Sequence, residues 1–312
     1  MKGVVRRVAR LGAALLIGLA LAGCASAPPA GAVRLDSTPR LAVVSAFAPE
    51  LALLRTRLQQ PASYSVNGVD FVTGTLEGKP VVLFLSGVSM TNAAMNTQLV
   101  LDRFAVSGIV FSGIAGGVNP ALHIGDVTVP AQWGQYLEVL MARETAPGQY
   151  SPRPSRDAVF LPNFGMMYPG TVHVRSAAGG AERKFWFEVD PTMLATARNI
   201  ASVELAVCDS ARKCLDTRPK LVIGGNGVSG PAFVDNAAFR EYTFNTFQAN
   251  VLDMETAAVG MVAYANGVPY IAFRSLSDLA GGGQGENEMR TFMNIAADNA
   301  AKVLLAFLAA WK

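Results

Sequence analysis

The segment VLDMETAAVGMVAYANGVPYIAFRSLSD, residues 251–278, constrains the fold of this chain more than any other. It predicts a short apolar strand, a helix of small residues from about Glu255 to Asn266, and a second strand that is buried. Glu255, Arg274 and Asp278 interrupt this apolar sequence. Buried charges are costly unless they are paired or used, so these three residues indicate either a structural ion-pair network or a functional site.

Strands and helices alternate along the rest of the chain. Apolar strands are predicted at RLAVVSAF, GIVFSG, GDVTVP, KLVIGGNGV and NVLDM, and a hairpin at GVDFVTGTLEGKPVVLFLSGV. Helices are predicted at about 91–104, 191–200, 236–247 and 287–310. The alternation predicts an α/β fold, and the absence of a linker predicts one domain over residues 39–312. Residues 131–190 have no sustained period, so we expect a functional excursion there.

The first 23 residues have the pattern of a signal peptide, with basic residues before an apolar run from Leu11 to Ala22. The sequence LAGC resembles a bacterial lipobox and predicts a lipid on Cys24, whereas ASA offers an ordinary cleavage site instead. Residues 24–38 are rich in Pro, Ala, Gly and Ser and are expected to be a flexible tether. We expect an exported bacterial protein, periplasmic or an outer-membrane lipoprotein, that meets the membrane only through Cys24.

The net charge depends on that leader. The whole chain carries +3, and its first 23 residues contribute four basic and no acidic side chains, so the exported chain carries −1. With 51% hydrophobic and 16% charged residues, the chain is a globular protein with a sizeable core. Because the basic excess belongs to the leader, nothing indicates nucleic-acid binding.

Two cysteines remain if Cys24 is lipidated. Cys208 and Cys214 close the short polar loop VCDSARKC, and in an exported protein such an even pair predicts a disulfide. A zinc site would lack ligands, because the only histidines, His123 and His173, are far from these cysteines in the sequence.

Polar and glycine residues follow several predicted strands, which is where open α/β sheets bind ligands. Glu50 begins a helix after the first strand, where it is either a solvated first-turn acid, favoured by the helix dipole, or an acid/base group. Gly113, Gly116 and Gly117 form either a tight turn or a close approach to a ligand. Their spacing fits neither the P-loop nor the dinucleotide fingerprint. Phe233 is either a core aromatic or a site residue.

Three of these stretches resemble the nucleoside phosphorylase/nucleosidase superfamily, in its methylthioadenosine/S-adenosylhomocysteine nucleosidase branch. They are SAFAPELALL, FSGIAGGVNPALHIGDVTVP and LDMETAAVGMVAYANGVPYIAFRSLSDLAG, in this order. GDVTVP, VIGGNGVS, FVDN and SDLAGG are most similar to bark-storage-protein-like members and their exported bacterial relatives. The resemblance covers nearly all of residues 40–312. It implies a single-domain fold with a twisted, mixed, partly barrel-like central sheet flanked by helices, and a homo-oligomer, with a dimer favoured.

The resemblance also implies two catalytic residues. Asp278 matches the acid that protonates the purine, and Glu50 matches the acid that activates the attacking water. Cleavage of an N-glycosidic bond passes through an oxocarbenium-like state, so it needs one acid for the leaving base and one base for the nucleophile. Asp278 must then be protonated when it acts, which predicts a raised pKa in a poorly solvated site.

Further residues are implied to contact a small-molecule purine nucleoside. Glu255 and Met254 match a pair that binds the ribose, and Arg274 matches an arginine near the water and the ribose. The expected contacts with the base and with the rest of the nucleoside are Phe233, Val234, Ala115 and Gly116. No metal and no cofactor are implied.

Two departures from the family pattern bear on the reaction. Related phosphorylases have an arginine and a serine that help to bind phosphate, where this chain has Phe111 and Ile114. These side chains offer an anion no donor, so we expect hydrolysis to free base and ribose-type sugar. The alternatives are a phosphorylase that takes phosphate as co-substrate, using Ser86 and Ser89, and a non-catalytic nucleoside-binding or storage-like protein. Ile114 also replaces a water-positioning serine, which leaves the efficiency of turnover open.

Overall fold

The computed structural model describes residues 33–152, 161–200 and 202–312. The predicted signal peptide, the lipidation site at Cys24 and most of the predicted tether lie outside the described residues. The first strand begins at Asp36, inside the range expected to be tether. This part is ordered because Asp36 pairs with Phe104 of a neighbouring strand and its carboxylate accepts a 2.6 Å hydrogen bond from Arg40.

The described residues contain six helices and eighteen strands. The helices are α1 (Ala48–Arg57), α2 (Met90–Arg103), α3 (Pro191–Arg198), α4 (Ala237–Phe247), α5 (Thr256–Asn266) and α6 (Met289–Ala310). The strands are β1 (Asp36–Ser45), β2 (Gln59–Val66), β3 (Val69–Leu76), β4 (Lys79–Leu85), β5 (Phe104–Gly117), β6 (Val127–Val129), β7 (Gln132–Gln135), β8 (Val139–Met141), β9 (Arg143–Ala146), β10 (Gln149–Ser151), β11 (Met167–Pro169), β12 (Val172–Arg175), β13 (Ala181–Lys184), β14 (Trp186–Glu188), β15 (Leu221–Ile223), β16 (Asn226–Ser229), β17 (Ala249–Asp253) and β18 (Tyr270–Asp278).

Twelve strands form one mixed sheet, and β5 lies at its centre. The order is β14-β7-β16-β17-β5-β1-β4-β3-β2, with β18 paired to both β5 and β6, and β15 to β6. The long strand β5 runs parallel to β1 and β18 and antiparallel to β17. The carboxyl ends of β1, β5 and β18 therefore meet at one edge. The predicted α/β fold with a mixed sheet and flanking helices is confirmed.

The core explains why the central strands are apolar. All nine residues of β18 are buried, and Phe273 on this strand packs against Phe307 of α6 with ring centroids 5.3 Å apart. By length and composition α6 also qualifies as a membrane-spanning helix. In this fold it packs on the sheet, with Leu304 and Phe307 fully buried.

Two predictions about secondary structure were wrong. KLVIGGNGV forms two strands, β15 and β16, because Gly224 and Gly225 adopt positive φ angles of 103° and 75° and turn the chain between them. The excursion at 131–190 contains eight strands, β7–β14, in its described part. Each of these strands has only three or four residues, too few to produce a visible hydrophobic period.

The cysteine loop is anchored on α6. Cys208 and Cys214 are disulfide-bonded in the structure. The buried side chain of Asn299 on α6 accepts a hydrogen bond from the Ala206 N–H at 2.7 Å and donates one to the Ala206 carbonyl at 3.1 Å. The helix and the loop that carries the disulfide are thus joined by a fully buried amide.

Candidate active site

A pocket lies at the edge where β1, β5 and β18 end. Eight of the residues predicted to act on substrate line it: Glu50, Ala115, Gly116, Phe233, Val234, Met254, Glu255 and Asp278. Topology explains their meeting. Parallel strands place their carboxyl ends together, and the segment after β17 joins them because β17 pairs with the last residues of β5.

Glu50 is buried and oriented by backbone donors. Its side chain is nearly inaccessible, and its Oε1 and Oε2 accept hydrogen bonds from the N–H groups of Ile114 at 2.8 Å and Ala46 at 2.6 Å. Burial raises the pKa of this carboxyl, and the charge of Arg274 and the backbone donors oppose that rise. The interpretation of Glu50 as a solvated first-turn acid is therefore wrong.

Arg274 lies behind the pocket wall and is fully buried. Its guanidinium faces three carboxylates: Nε is 2.7 Å from Asp253 Oδ2, Nη1 is 3.6 Å from Glu50 Oε1, and Nη2 is 3.7 Å from Glu255 Oε2. Its Cζ lies 3.9 Å from the centroid of the Phe111 ring, a cation–π contact. This arginine organises the carboxylates and is not among the residues that line the pocket.

Gly113 makes room for this arrangement. A Cβ atom at this position would lie 1.8 Å from Arg274 Nη1 and 2.6 Å from Glu50 Oε1. Any other residue would displace the guanidinium from the carboxylate. The glycine-rich segment was interpreted either as a tight turn or as a place where a ligand approaches the backbone closely. At Gly113 there is a close approach, but the group that approaches is the side chain of Arg274 and not a ligand.

Asp253 lines the pocket and was missed by the sequence reasoning. Its Oδ1 accepts hydrogen bonds from Ser229 Oγ and from the N–H groups of Glu255 and Thr256, and its Oδ2 accepts from Thr256 Oγ1 and faces Arg274. The carboxylate thereby fixes the first turn of α5 and the backbone of Glu255. The available signal was its position, an aspartate between a buried strand and a helix, which is typical of an N-terminal cap.

Glu255 belongs to the group of carboxylates around Arg274 and also lines the pocket. Its Oε1 accepts a 2.8 Å hydrogen bond from the Ser89 N–H at the start of α2, where the helix dipole favours a carboxylate. Ser89 has a φ of 80°, a conformation that costs a non-glycine residue about 1–3 kcal/mol. Burial, and then the charge of Asp253, raise the pKa of Glu255 to about 7, against the influence of Arg274.

Asp278 has a different environment. It is 3% exposed, its Oδ1 accepts from the Ala280 N–H at 2.9 Å, and its Oδ2 accepts from Ser277 Oγ at 2.8 Å. Burial raises the pKa of Asp278, and hydrogen bonds from Ala280, Ser277 and Asn287 oppose the rise. The direction agrees with the raised pKa that an acid for the leaving base requires.

The pocket is lined by one exposed aromatic side chain and by several apolar side chains. Phe233 is 55% exposed in the loop after β16 and lines the pocket, so its interpretation as a core aromatic is wrong. Away from this loop, apolar side chains line the pocket around Glu50: Phe47, Val88, Ile114 and Met289. Of the two serines considered for phosphate, Ser86 is fully buried and donates to the Gly87 carbonyl, and Ser89 contributes its backbone to Glu255.

Charge limits what this pocket can bind. Four carboxylates line it, those of Glu50, Asp253, Glu255 and Asp278. Among the described residues that line it, none is lysine, arginine or histidine. The pocket therefore suits a neutral ligand with hydroxyl groups and an apolar part, and it repels a phosphate dianion.

Comparisons with known proteins identify the family of this chain. Residues 40–309 match the phosphorylase superfamily. The chain is similar to the 5′-methylthioadenosine/S-adenosylhomocysteine nucleosidases of Bacillus licheniformis (28% identity over 269 residues, 86% of this chain and 98% of the relative) and Geobacillus thermodenitrificans (26% over 270 residues, 86% and 96%).

Solved structures share the fold. The nucleosidase of S. pneumoniae with the transition-state inhibitor MT-ImmA superposes with a TM-score of 0.64 at 24% identity and covers 88% of this chain and 100% of its own. Futalosine hydrolase of Helicobacter pylori gives a TM-score of 0.63 at 20% identity, with 86% and 97% covered.

Proposed function

This chain belongs to the phosphorylase superfamily, and from that membership we propose that it is an enzyme that hydrolyses the N-glycosidic bond of purine nucleosides to a free base and a ribose-type sugar. The family predicted from the motifs is confirmed. The nucleosidases among its relatives support hydrolysis. The roles of individual residues and the substrate are our proposal.

The proposed reaction uses two carboxyl groups, Asp278 as the acid and Glu50 as the base. Asp278, whose pKa is raised by burial, donates a proton to the purine as the bond to the sugar breaks. Glu50, on the other side of the pocket, accepts a proton from the water that attacks the sugar carbon. Glu255 accepts hydrogen bonds from the ribose hydroxyls, and Phe233 stacks on the base. General acid and base groups of this kind typically contribute about 10²–10⁴-fold each.

The charge of the pocket is the observation that favours hydrolysis over phosphorolysis. Its described lining has four carboxyl groups and no lysine, arginine or histidine. Arg274, which lies behind the pocket wall, is already engaged by three carboxylates and by the ring of Phe111. A phosphate dianion would enter without a partner, whereas water carries no such penalty.

The apolar part of the lining supports a substrate with an apolar 5′ substituent. The side chains of Phe47, Val88, Ile114 and Met289 offer no hydrogen-bond donor, and their one acceptor is the weakly accepting sulfur of Met289. A methylthio group would bury apolar surface there, whereas the free 5′ hydroxyl of adenosine or inosine would lose hydrogen bonds to water. We therefore place methylthioadenosine-like nucleosides ahead of unsubstituted ones.

The test is a product analysis. The purified protein is incubated with methylthioadenosine, adenosine, inosine and guanosine, with and without phosphate, and base and sugar products are quantified. We expect free sugar without phosphate, formed fastest from methylthioadenosine. Sugar 1-phosphate formed only with phosphate would refute hydrolysis. A ligand-induced rise in melting temperature without any product would identify a binding protein instead.

Export and assembly are separate proposals. The leader sequence supports an exported protein with a lipid on Cys24, and family membership supports a homo-oligomer, with a dimer favoured. Cys24→Ala should abolish incorporation of a labelled fatty acid in a bacterial host. Unchanged labelling would exclude Cys24 as the acylated residue. Light scattering of the purified protein gives the oligomeric state, and a monomer would contradict a dimer.

A further inference from the structure

Asn287 forms hydrogen bonds with Asp278, the proposed proton donor, with Asp235 and with the first turn of α6. It lies between β18 and α6, in the glycine-rich segment that follows Asp278. Its Nδ2 donates to Asp278 Oδ1 at 3.4 Å and to Asp235 Oδ1 at 3.1 Å. Its Oδ1 accepts from the Met289 N–H at 3.0 Å, at the start of α6. This last contact fixes the orientation of the amide, because only Nδ2 can donate to carboxylates.

We propose that Asn287 is a positioning residue for Asp278 that holds the carboxyl in place and assigns its proton to one oxygen. This inference rests on the proposed function, in which Asp278 protonates the base. No motif in the sequence singled out Asn287.

The assignment of the proton follows from the types of donor. Oδ1 of Asp278 accepts from the Ala280 N–H and from Asn287 Nδ2, and both groups can only donate. Oδ2 is paired with Ser277 Oγ at 2.8 Å, and a hydroxyl both donates and accepts. The neutral acid therefore carries its proton on Oδ2. That oxygen is the one that transfers the proton to the base.

The same amide also binds the loop 233–236, which we call the base-covering loop because its Phe233 is proposed to stack on the base. Asp235 follows Phe233 and Val234, which line the pocket. A second bond joins the same two segments, from the Asn236 N–H to the Ala280 carbonyl at 3.1 Å. Gly281 lies so close that a Cβ atom there would be 2.3 Å from the Asn236 nitrogen. Acid and base-covering loop are thus kept at a fixed separation.

Several charged groups surround this carboxyl. Glu288 raises the pKa of Asp278 through its charge, and Asp235 lies on the other side of the Asn287 amide. Arg240 on α4 donates to the Gly117 carbonyl, next to the residue that pairs with Asp278. A substitution at Asn287 keeps the charges of Glu288 and Arg240, and it removes the hydrogen bonds to Asp278 and Asp235 together, so a change in titration reports on the loss of the amide.

The experiment uses two variants of Asn287. Asn287→Asp keeps an oxygen that accepts from Met289 and removes the donor to Asp278, whereas Asn287→Ala removes both. Asn294→Ala, an exposed position on α6, is the control. The affinity for adenine is measured by calorimetry across pH, since protonated Asp278 donates to the base and affinity falls as it ionises. The pH profile of kcat/KM is measured in parallel.

We expect the midpoint of the fall in adenine affinity to move upward by about half to one pH unit in Asn287→Ala, and further in Asn287→Asp, where two carboxylates repel. The alkaline limb of kcat/KM moves equally. A purely structural role would weaken binding at every pH without moving the midpoint, and that result would overturn the inference. If the wild type binds adenine with this pH dependence but hydrolyses no nucleoside, the proposed function fails while the assignment to Asn287 stands. A wild type without pH-dependent adenine binding overturns both.

Discussion

The two carboxylate environments of the pocket are built on different principles. Glu50, Asp253 and Glu255 surround one fully buried guanidinium, that of Arg274. Asp278 receives hydrogen bonds only from neutral groups, and within the described part of the chain it makes no ion pair. The charge of the shared cation opposes the rise in pKa that burial causes at Glu50 and Glu255, whereas at Asp278 only neutral hydrogen-bond donors oppose it. The difference accords with the proposed roles, in which Glu50 and Glu255 bind water and sugar and Asp278 gives up a proton.

The largest effect on the rate is expected at Glu50, the carboxylate of the Arg274 cluster that is proposed to activate the attacking water. Glu50→Gln keeps the shape of the side chain and removes its basicity, so the rate of hydrolysis should fall by about 10²–10⁴-fold with little change in nucleoside binding. Single-turnover rates and calorimetry measure the two quantities. Glu241→Gln, the same change at an exposed position on α4, is the control. An unchanged rate in Glu50→Gln would remove Glu50 from the reaction.

Removing the shared cation should destabilise the protein more than removing the isolated acid. Arg274→Met leaves three buried carboxylates without their partner, so the free energy of unfolding should fall by about 3–5 kcal/mol. Asp278→Asn keeps the size of a side chain that forms no ion pair in the described part of the chain, so it should lower the free energy of unfolding far less. Urea denaturation compares both with Arg290→Met, which removes an exposed arginine on α6. Equal losses in the two buried variants would contradict the distinction between the environments.

The raised pKa values predict how stability varies with pH. Glu255 titrates near 7 in the folded chain, and 4.5 is its ordinary value. The folded state therefore holds a proton that the unfolded state releases, so its contribution is complete below about pH 4.5 and is lost as the pH rises to about 7. The slope reaches at most about 1.4 kcal/mol per pH unit for one group. Denaturation of Glu255→Gln across this range should show a flatter profile, and an unaltered slope would argue against the shift.

A smaller effect is expected at Ile114, whose backbone holds Glu50 and whose side chain packs with Ala296 and Ala297 of α6. Ile114→Ser adds a hydroxyl close to the Glu50 carboxylate, the proposed base. One added hydrogen bond to the attacking water should raise kcat by about twofold to tenfold. The lost apolar contact should raise KM for methylthioadenosine more than for adenosine. Ile114→Val separates the two effects, since it removes volume without adding a donor.

Much of the fold and part of the site could be predicted from the sequence. The apolar strands, the helices and the charges at strand ends are local features, but they left a site and an ion-pair network equally open for Glu255 and Asp278. The family resemblance indicated a site, and both residues line the pocket. Asp253 was missed because its meaning depends on Ser229 and Arg274, each more than twenty positions away. Asn287 was missed because it lies in a glycine-rich segment without a period. Arg274 was expected near the substrate but lies behind it, since space opens at Gly113.

The central claim is that Asp278 gives its proton to the leaving base and that water completes the reaction. Asp278→Asn keeps the size of the side chain, and the amide still donates a hydrogen bond, but it has no acidic proton to transfer. In phosphate-free buffer we predict that this variant binds adenine and methylthioadenosine while its single-turnover hydrolysis falls by about 10²–10⁴-fold. Hydrolysis at the wild-type rate, with binding intact, would contradict the claim.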